Sequence, residues 1–216
     1  MDKKKIIAIA VILVAAVAGW YFMYFTKTPV YSLNEARVAV EKHDVAAFKK
    51  HVDLESIFGC AYDDFIAVEM EKPEIKNNPF TGFAQTILKG MKSEIVGALS
   101  QACYNKIGEQ PKDDAPSGDS GQATDDESIA LSKGQKIKES MNVSDLRFKS
   151  VQEADISGDV AKVPVVFESE NPDRGEVIFT VEMHRLEDKT WQAVRISDFK
   201  DYLELQEALK ADKAKK

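Results

Sequence analysis

The residues best suited to chemistry are His43, His51 and His184, Cys60 and Cys103, the adjacent Asp63 and Asp64, and the string His51-Val52-Asp53 with Ser56 close behind it. Proton transfer or metal binding needs such groups to converge, and their spacing gives no sign that they do. No histidine has a histidine or cysteine partner at metal-ligand spacing, and neither H-E-x-x-H nor C-x-x-C occurs. His43 and His51 fall at the ends of predicted short helices, where a cation near the C-terminus is mildly favourable. His184 alternates with Met183 and is expected to face away from the core. Neighbouring side chains point about 100° apart on a helix, so Asp63 and Asp64 read as a solvated face and not as an acid–base pair. Asp53 is explained as the N-cap of the helix that follows, which leaves Ser56 as a weak nucleophile without a triad. There is no G-x-S-x-G elbow, no phosphate-cradling loop and no dinucleotide fingerprint. The sequence thus names no catalytic, cofactor-binding or metal-ligating residue, and implies no cofactor.

The two cysteines are the next candidates, because a thiol pair in an oxidising compartment can bridge. If 54–71 and 80–107 are straight antiparallel helices, Cys60 and Cys103 sit about 16 and about 35 Å from the connecting turn, too unequal for a bond. A break near Gly90 or Gly97 is the one way to level them. The alternative is two separately buried thiols.

The compartment is indicated by the first 25 residues. Ile6 to Phe25 is a run without a charge, directly behind Lys3-Lys4-Lys5. At about 1.5 Å per residue it spans roughly 30 Å as a helix, the hydrocarbon thickness of a bilayer. The lysines favour the cytoplasmic side, and no later segment is long and apolar enough to span, so the C-terminal portion is expected beyond the membrane. Ala16-Val17-Ala18 resembles a signal-peptide cleavage site. Against cleavage after Ala18, the apolar run continues through Trp20, Tyr21, Phe22, Tyr24 and Phe25, an aromatic cluster suited to a membrane–water interface. The expected order is a basic stub at 1–5, a transmembrane anchor at 6–25, a linker at 26–31 and an exported domain at 32–212. The expected location is the cytoplasmic (inner) membrane, with the bilayer as the first partner.

Charge excludes one class of partner. Of 29 basic and 36 acidic residues, three and one fall in the stub, leaving 26 and 35, a formal balance of −9. Nucleic acid needs clustered Lys and Arg to displace counterions, and beyond the anchor the main basic cluster is the tail Lys210, Lys213, Lys215 and Lys216. That tail reads as a solvated helix end. Residues 109–127 carry Pro111, Pro116 and seven acidic residues with almost nothing apolar, and read as a disordered insert. Their acidic spacing lacks the central Gly and terminal Glu of a calcium loop.

The elements around these residues follow from periodicity and caps. Ser32 with Glu35 three residues on predicts a capping box opening a helix from Leu33 to His43. Asp44 predicts a second short helix and Asp53 a third, with Leu54, Ile57, Phe58, Ala61, Phe65 and Val68 at helical spacing. A longer helix is predicted over 80–107, with Phe83, Ile87, Met91, Ile95, Leu99 and Ala102 as its core stripe. From Ser144 the period changes to two. Strands are predicted at Leu146 and Phe148, from Ala161 to Phe167, from Val177 to Met183 and from Trp191 to Ile196, with turns at Gly158-Asp159, 171–175 and 187–189. Pro164 removes a ladder donor and predicts an edge or a bulge. A closing helix begins near Asp198. The predicted fold class is α+β, helices packed on a four-stranded antiparallel sheet. Phe148, Val163, Val165, Phe179 and Val181 should share its packed face.

The residues Tyr31-Ser32-Leu33, Ala36, Ala39, Asp44, Ala47, Phe48 and His51-Val52-Asp53-Leu54 resemble the opening of a bacterial domain-of-unknown-function family whose members are N-terminally anchored envelope proteins. Gly158-Asp159-Val160-Ala161-Lys162-Val163 and Trp191-Gln192-Ala193-Val194-Arg195-Ile196 are similar to that family's closing strands, and also to the nuclear-transport-factor-two-like, or cystatin-like, sheet pattern. The resemblance implies a location and a fold. It implies no catalytic residue, and the acidic insert and the cysteine pair depart from it. The leading functional expectation is a non-catalytic, membrane-anchored binding or interaction domain of the cell envelope, with an envelope protein or a small ligand as partner. The alternatives are a pocket-based enzyme with a buried Asp or His on the curved sheet, and a structural subunit of an envelope complex.

Overall fold

The computed structural model describes residues 19–20, 24–76, 78, 80–109, 145–170 and 175–213. The basic stub, nearly all of the expected anchor and, apart from Glu109, the acidic insert lie outside the described residues. Among the described residues, no helix is long and apolar enough to cross a membrane.

Helix α1 (Pro29–Glu41) starts earlier than the capping box suggests. Thr28 is the N-cap, its Oγ1 accepting from the Tyr31 N–H at 3.2 Å, and Pro29 occupies the first turn, where a missing N–H costs nothing. Ser32 is therefore not a cap. It lies inside the helix and is fully buried, for a reason that comes from the sheet. The helix ends in a Schellman arrangement: the Asp44 N–H reaches Ala39 O at 2.8 Å, the His43 N–H reaches Val40 O at 3.1 Å, and His43 has a φ of 57°. Asp44 then caps α2 (Val45–His51) through its bond from the Ala47 N–H. Asp53 caps α3 (Leu54–Glu71) through the Ser56 N–H at 3.0 Å, as its position predicts. One turn, α4 (Pro73–Lys76), leads to the long α5 (Thr81–Gly108).

Strands β1 (Leu146–Val151), β2 (Asp155–Ser157), β3 (Val160–Ser169), β4 (Glu176–Arg185) and β5 (Trp191–Ile196) form one antiparallel sheet, and α6 (Phe199–Lys213) closes the described chain. The order is β1-β3-β4-β5, with β2 beside β3. Among the described residues there are five strands where four were predicted, because β2 is three exposed residues with no apolar alternation. Since β1 pairs with residues 165–169 and β2 with 160–162, the two make one edge strand interrupted at 152–154. That break corrects the reading of Pro164. Strand β3 is interior, but the Pro164 carbonyl accepts from Gln152 N–H at 2.9 Å, so its missing donor points into the interruption and no ladder bond is lost.

The register places Phe148 opposite Phe167, Val165 opposite Phe179 and Val163 opposite Val181, so the five residues expected on one face share it. Lys149 is an extra residue in β1, which is why Phe148 and Val151 both face inward although they are three apart. One end of this face, with Ala161, Val163, Met183 and Trp191, packs against Ala36, Val52, Leu54 and Tyr104. The other end, with Phe179, Phe167, Val177 and Ile196, packs against α3 and α6 through Val68, Phe199, Tyr202 and Leu203.

The long helix α5 departs from its predicted stripe. Ile95, Val96 and Leu99 pack on Tyr62 and Phe58 of α3, while Phe83 is 70% exposed and Ile87 and Phe80 are exposed with it. A strict four-residue repeat advances about 400° per step, so the stripe drifts about 40° each time and Phe83 ends roughly 120° from Ile95.

Candidate functional site

Between α1 and the β1 side of the sheet the packed face opens into a cavity of about 1060 Å³. Helix α1 supplies Val30, Leu33 and Val40, α2 supplies Phe48, and the sheet supplies Phe148, Val151, Val165, Phe167 and Val181. Phe25 lies on its lip and meets the Tyr31 ring edge-on, with centroids 6.3 Å apart. Phe148, placed with the packed face by its register, is 47% exposed here, with the Arg37 guanidinium 5.6 Å above its ring. It starts an aromatic row across the sheet: Phe148 to Phe167 at 6.3 Å, Phe167 to Phe179 at 5.8 Å, and Phe179 to Tyr202 at 5.0 Å. The row is packed at the α6 end and open at the β1 end.

The polar groups of the lining are confined to one side chain each of a few types, and most are paired. Arg37 Nε donates to Glu41 Oε1 at 3.0 Å, and its guanidinium lies 5.6 Å from the Phe148 ring centre. Lys149 bonds Glu176, which raises the lysine pKa. The Tyr31 hydroxyl bonds Glu35, whose carboxylate pushes the phenol pKa up. The arrangement can receive an apolar body and meet a polar end at its rim. It presents no nucleophile with an adjacent base.

The wall beside the cavity is held by Trp191. Its indole Nε1 donates to Lys27 O at 2.9 Å, its main-chain N–H donates to Ser32 Oγ at 3.1 Å, and its carbonyl lies 3.3 Å from His51 Nδ1. These bonds tie the first turn of α1 and the last residue of α2 to β5. His51 is therefore a buried core histidine, although it is the last residue of α2 as the sequence predicts. His43, in the left-handed position after α1, has Nδ1 2.9 Å from Ile107 O and ties α1 to the end of α5. His184 is exposed beside Glu182, at 3.2 Å. The three histidines stay apart, and among the described residues no three His, Cys, Asp or Glu side chains are placed to hold a metal ion.

Cys60 and Cys103 are half-buried and are not joined in a disulfide. Cys60 lines an open groove of about 810 Å³ between α3 and α5, together with Asp53, Ser56 and Lys92. Those three are committed elsewhere: Ser56 Oγ donates to Asp53 Oδ2 at 2.7 Å, and Lys92 bonds Asp63 at 2.7 Å.

Asp63 is exposed as expected, but Asp64 is not part of a solvated face. Its side chain is 14% exposed, and burial raises its pKa while Arg195, with a nitrogen 3.6 Å from Oδ1, opposes the rise. Asp64 Oδ2 and Arg195 Nε are both buried without a hydrogen-bond partner. The signal was present in the spacing, since Asp64 lies three residues after Ala61 and four before Val68, on the buried stripe of α3.

Comparison of the chain with family models, with curated proteins and with solved structures gave no match in any of the three.

Proposed function

We propose that this chain is a non-catalytic, membrane-anchored binding domain of the cell envelope, and that its site is the cavity between α1 and the sheet. The observation that carries the reading is the cavity itself: about 1060 Å³ at the upper end of small-ligand sites, walled by Val, Leu and Phe, with a few polar groups at one rim. The anchor is supported by the uncharged run 6–25 behind three lysines, and the envelope location by the resemblance of 31–54 and 158–196 to anchored envelope proteins. Two measurements test it. A reporter active only in the cytoplasm, fused after Lys216, should be silent; strong activity would overturn the location. An apolar fluorescent dye should bind the full-length protein at one saturable site and lose that site in Leu33→Trp, which fills the cavity from α1. Equal binding to both proteins would remove the cavity from the proposal.

A docking role toward an envelope protein is favoured by one separate observation, the exposed Phe80, Phe83 and Ile87 at the start of α5. Loss of a co-purifying partner on Phe83→Ser, with dye binding intact, would place the interaction there.

A further inference from the structure

We propose that the cavity between α1 and the sheet takes an acyl chain of a membrane lipid, drawn from the bilayer in which the N-terminal segment sits. The inference rests on the anchored reading above and adds the class of ligand.

Position is the first argument. Phe25, the last residue of the apolar run, is itself on the lip of the cavity. Only Thr26, Lys27 and Thr28 separate it from α1, and they are not a loose tether. Lys27 O accepts from the Trp191 indole at 2.9 Å, Lys27 Nζ donates to Asp188 O at 2.7 Å, and Thr28 caps the helix. A chain pinned this way holds the cavity mouth against the surface where the apolar run leaves the bilayer. A ligand entering there leaves lipid without crossing water, which is the costly step for a long apolar chain.

Chemistry is the second. The walls are apolar over α1, α2 and three strands, and the cations Arg37 and Lys149 stand at the rim. Their partners Glu41 and Glu176 are about half exposed, and ion pairs of that kind are weak enough to be exchanged for a lipid phosphate. The exposed Phe148 ring beneath the Arg37 guanidinium gives the first methylenes a surface at the entrance.

The test uses the full-length protein in vesicles of phosphatidylethanolamine and phosphatidylglycerol that contain a lipid with a photoactivatable diazirine near the end of one acyl chain. After irradiation, mass spectrometry should find adducts on the peptides carrying Phe148, Val165 and Phe167, in addition to those on the anchor. Leu33→Trp should lose the sheet adducts and keep the anchor adducts. If the protein sediments with the vesicles and still binds the apolar dye, but adducts are confined to residues 6–25, the lipid inference alone falls. If the protein does not sediment with the vesicles, the anchored reading falls and takes this inference with it. The wild-type adduct pattern decides even where Leu33→Trp fails to fold.

Discussion

Ser32 and Trp191 are joined by a buried hydrogen bond, the Trp191 main-chain N–H donating to Ser32 Oγ at 3.1 Å across 159 residues of sequence. Both residues are almost wholly inaccessible to water. The amide belongs to the first residue of β5, beside which the described residues place only the isolated bridge of Val52 to Ala193, so the serine on α1 supplies the acceptor that a further strand would have offered. Ser32→Ala leaves that N–H unpaired in the core and is expected to cost about 1–3 kcal/mol, the penalty for a buried unsatisfied donor. Thr28→Ala, which removes the true cap, should cost about 0.5–2 kcal/mol. Denaturant melts of the two variants check both. A Ser32→Ala protein as stable as the wild type would show that water replaces the hydroxyl.

The aromatic row predicts a contrast between two phenylalanines. Phe179 is buried between Phe167 and Tyr202, so Phe179→Ala should cost about 3–5 kcal/mol, a large share of a typical domain's stability. Phe83→Ser, at an exposed position on α5, should stay within about 0.5 kcal/mol of the wild type. Thermal melts of both variants in the same buffer decide, and similar losses would mean that the α5 face is covered in solution.

The same two phenylalanines show what was legible in the sequence and what was not. The face of Phe179 follows from a period of two, which survives any rearrangement of the helices. The exposure of Phe83 follows from the drift of a four-residue repeat and from where α3 lies, and only the first of these is local. Asp44 and Asp53 were readable as caps because each bonds an amide three residues away. Ser32 was not, since its capping-box pattern with Glu35 is local while its actual partner is on β5. The cavity was the least legible of all. The inner residues of the sheet read as apolar whether they are covered or open, and the difference depends on how α1 crosses them. Asp64 was hidden for a different reason: its type suggested a surface, and its spacing on α3 was the better guide.

The turn before β5 carries a pH dependence of definite sign. Lys50 bonds the Asp188 carboxylate at 2.7 Å, and with help from the Thr190 hydroxyl and N–H it holds the aspartate well below the usual carboxylate range. A depressed pKa means stability that is present above the unfolded value of about 3.9 and lost as pH falls through the folded value. Asp188→Asn should therefore flatten the loss of stability below about pH 4, measured as the denaturant midpoint across acid buffers. Because Asp188 and Lys50 are about half exposed, the effect should also shrink at high salt. An unchanged acid limb would mean that Lys50 does not hold Asp188 in solution.

Asp64 carries the opposite sign. Its folded pKa is raised by burial, so the ionised carboxylate opposes folding at neutral pH and protonation relieves it as pH falls through the folded value toward about 3.9. Arg195 is the larger of two cations that limit this penalty, Lys200 being the other. Arg195→Met should therefore destabilise the protein by about 1–3 kcal/mol at neutral pH, less than for a fully buried pair because the arginine is 43% exposed. The deficit should narrow on acidification, since the variant's Asp64 takes up its proton earlier. Replacing both partners, as Asp64→Leu with Arg195→Met, removes the two buried orphan atoms together and should recover most of the loss. A double-mutant cycle in denaturant at neutral and at acid pH measures the coupling. A deficit for Arg195→Met that stays constant with pH would show that the arginine stabilises through packing of its stem on α3 and not through the charge of Asp64.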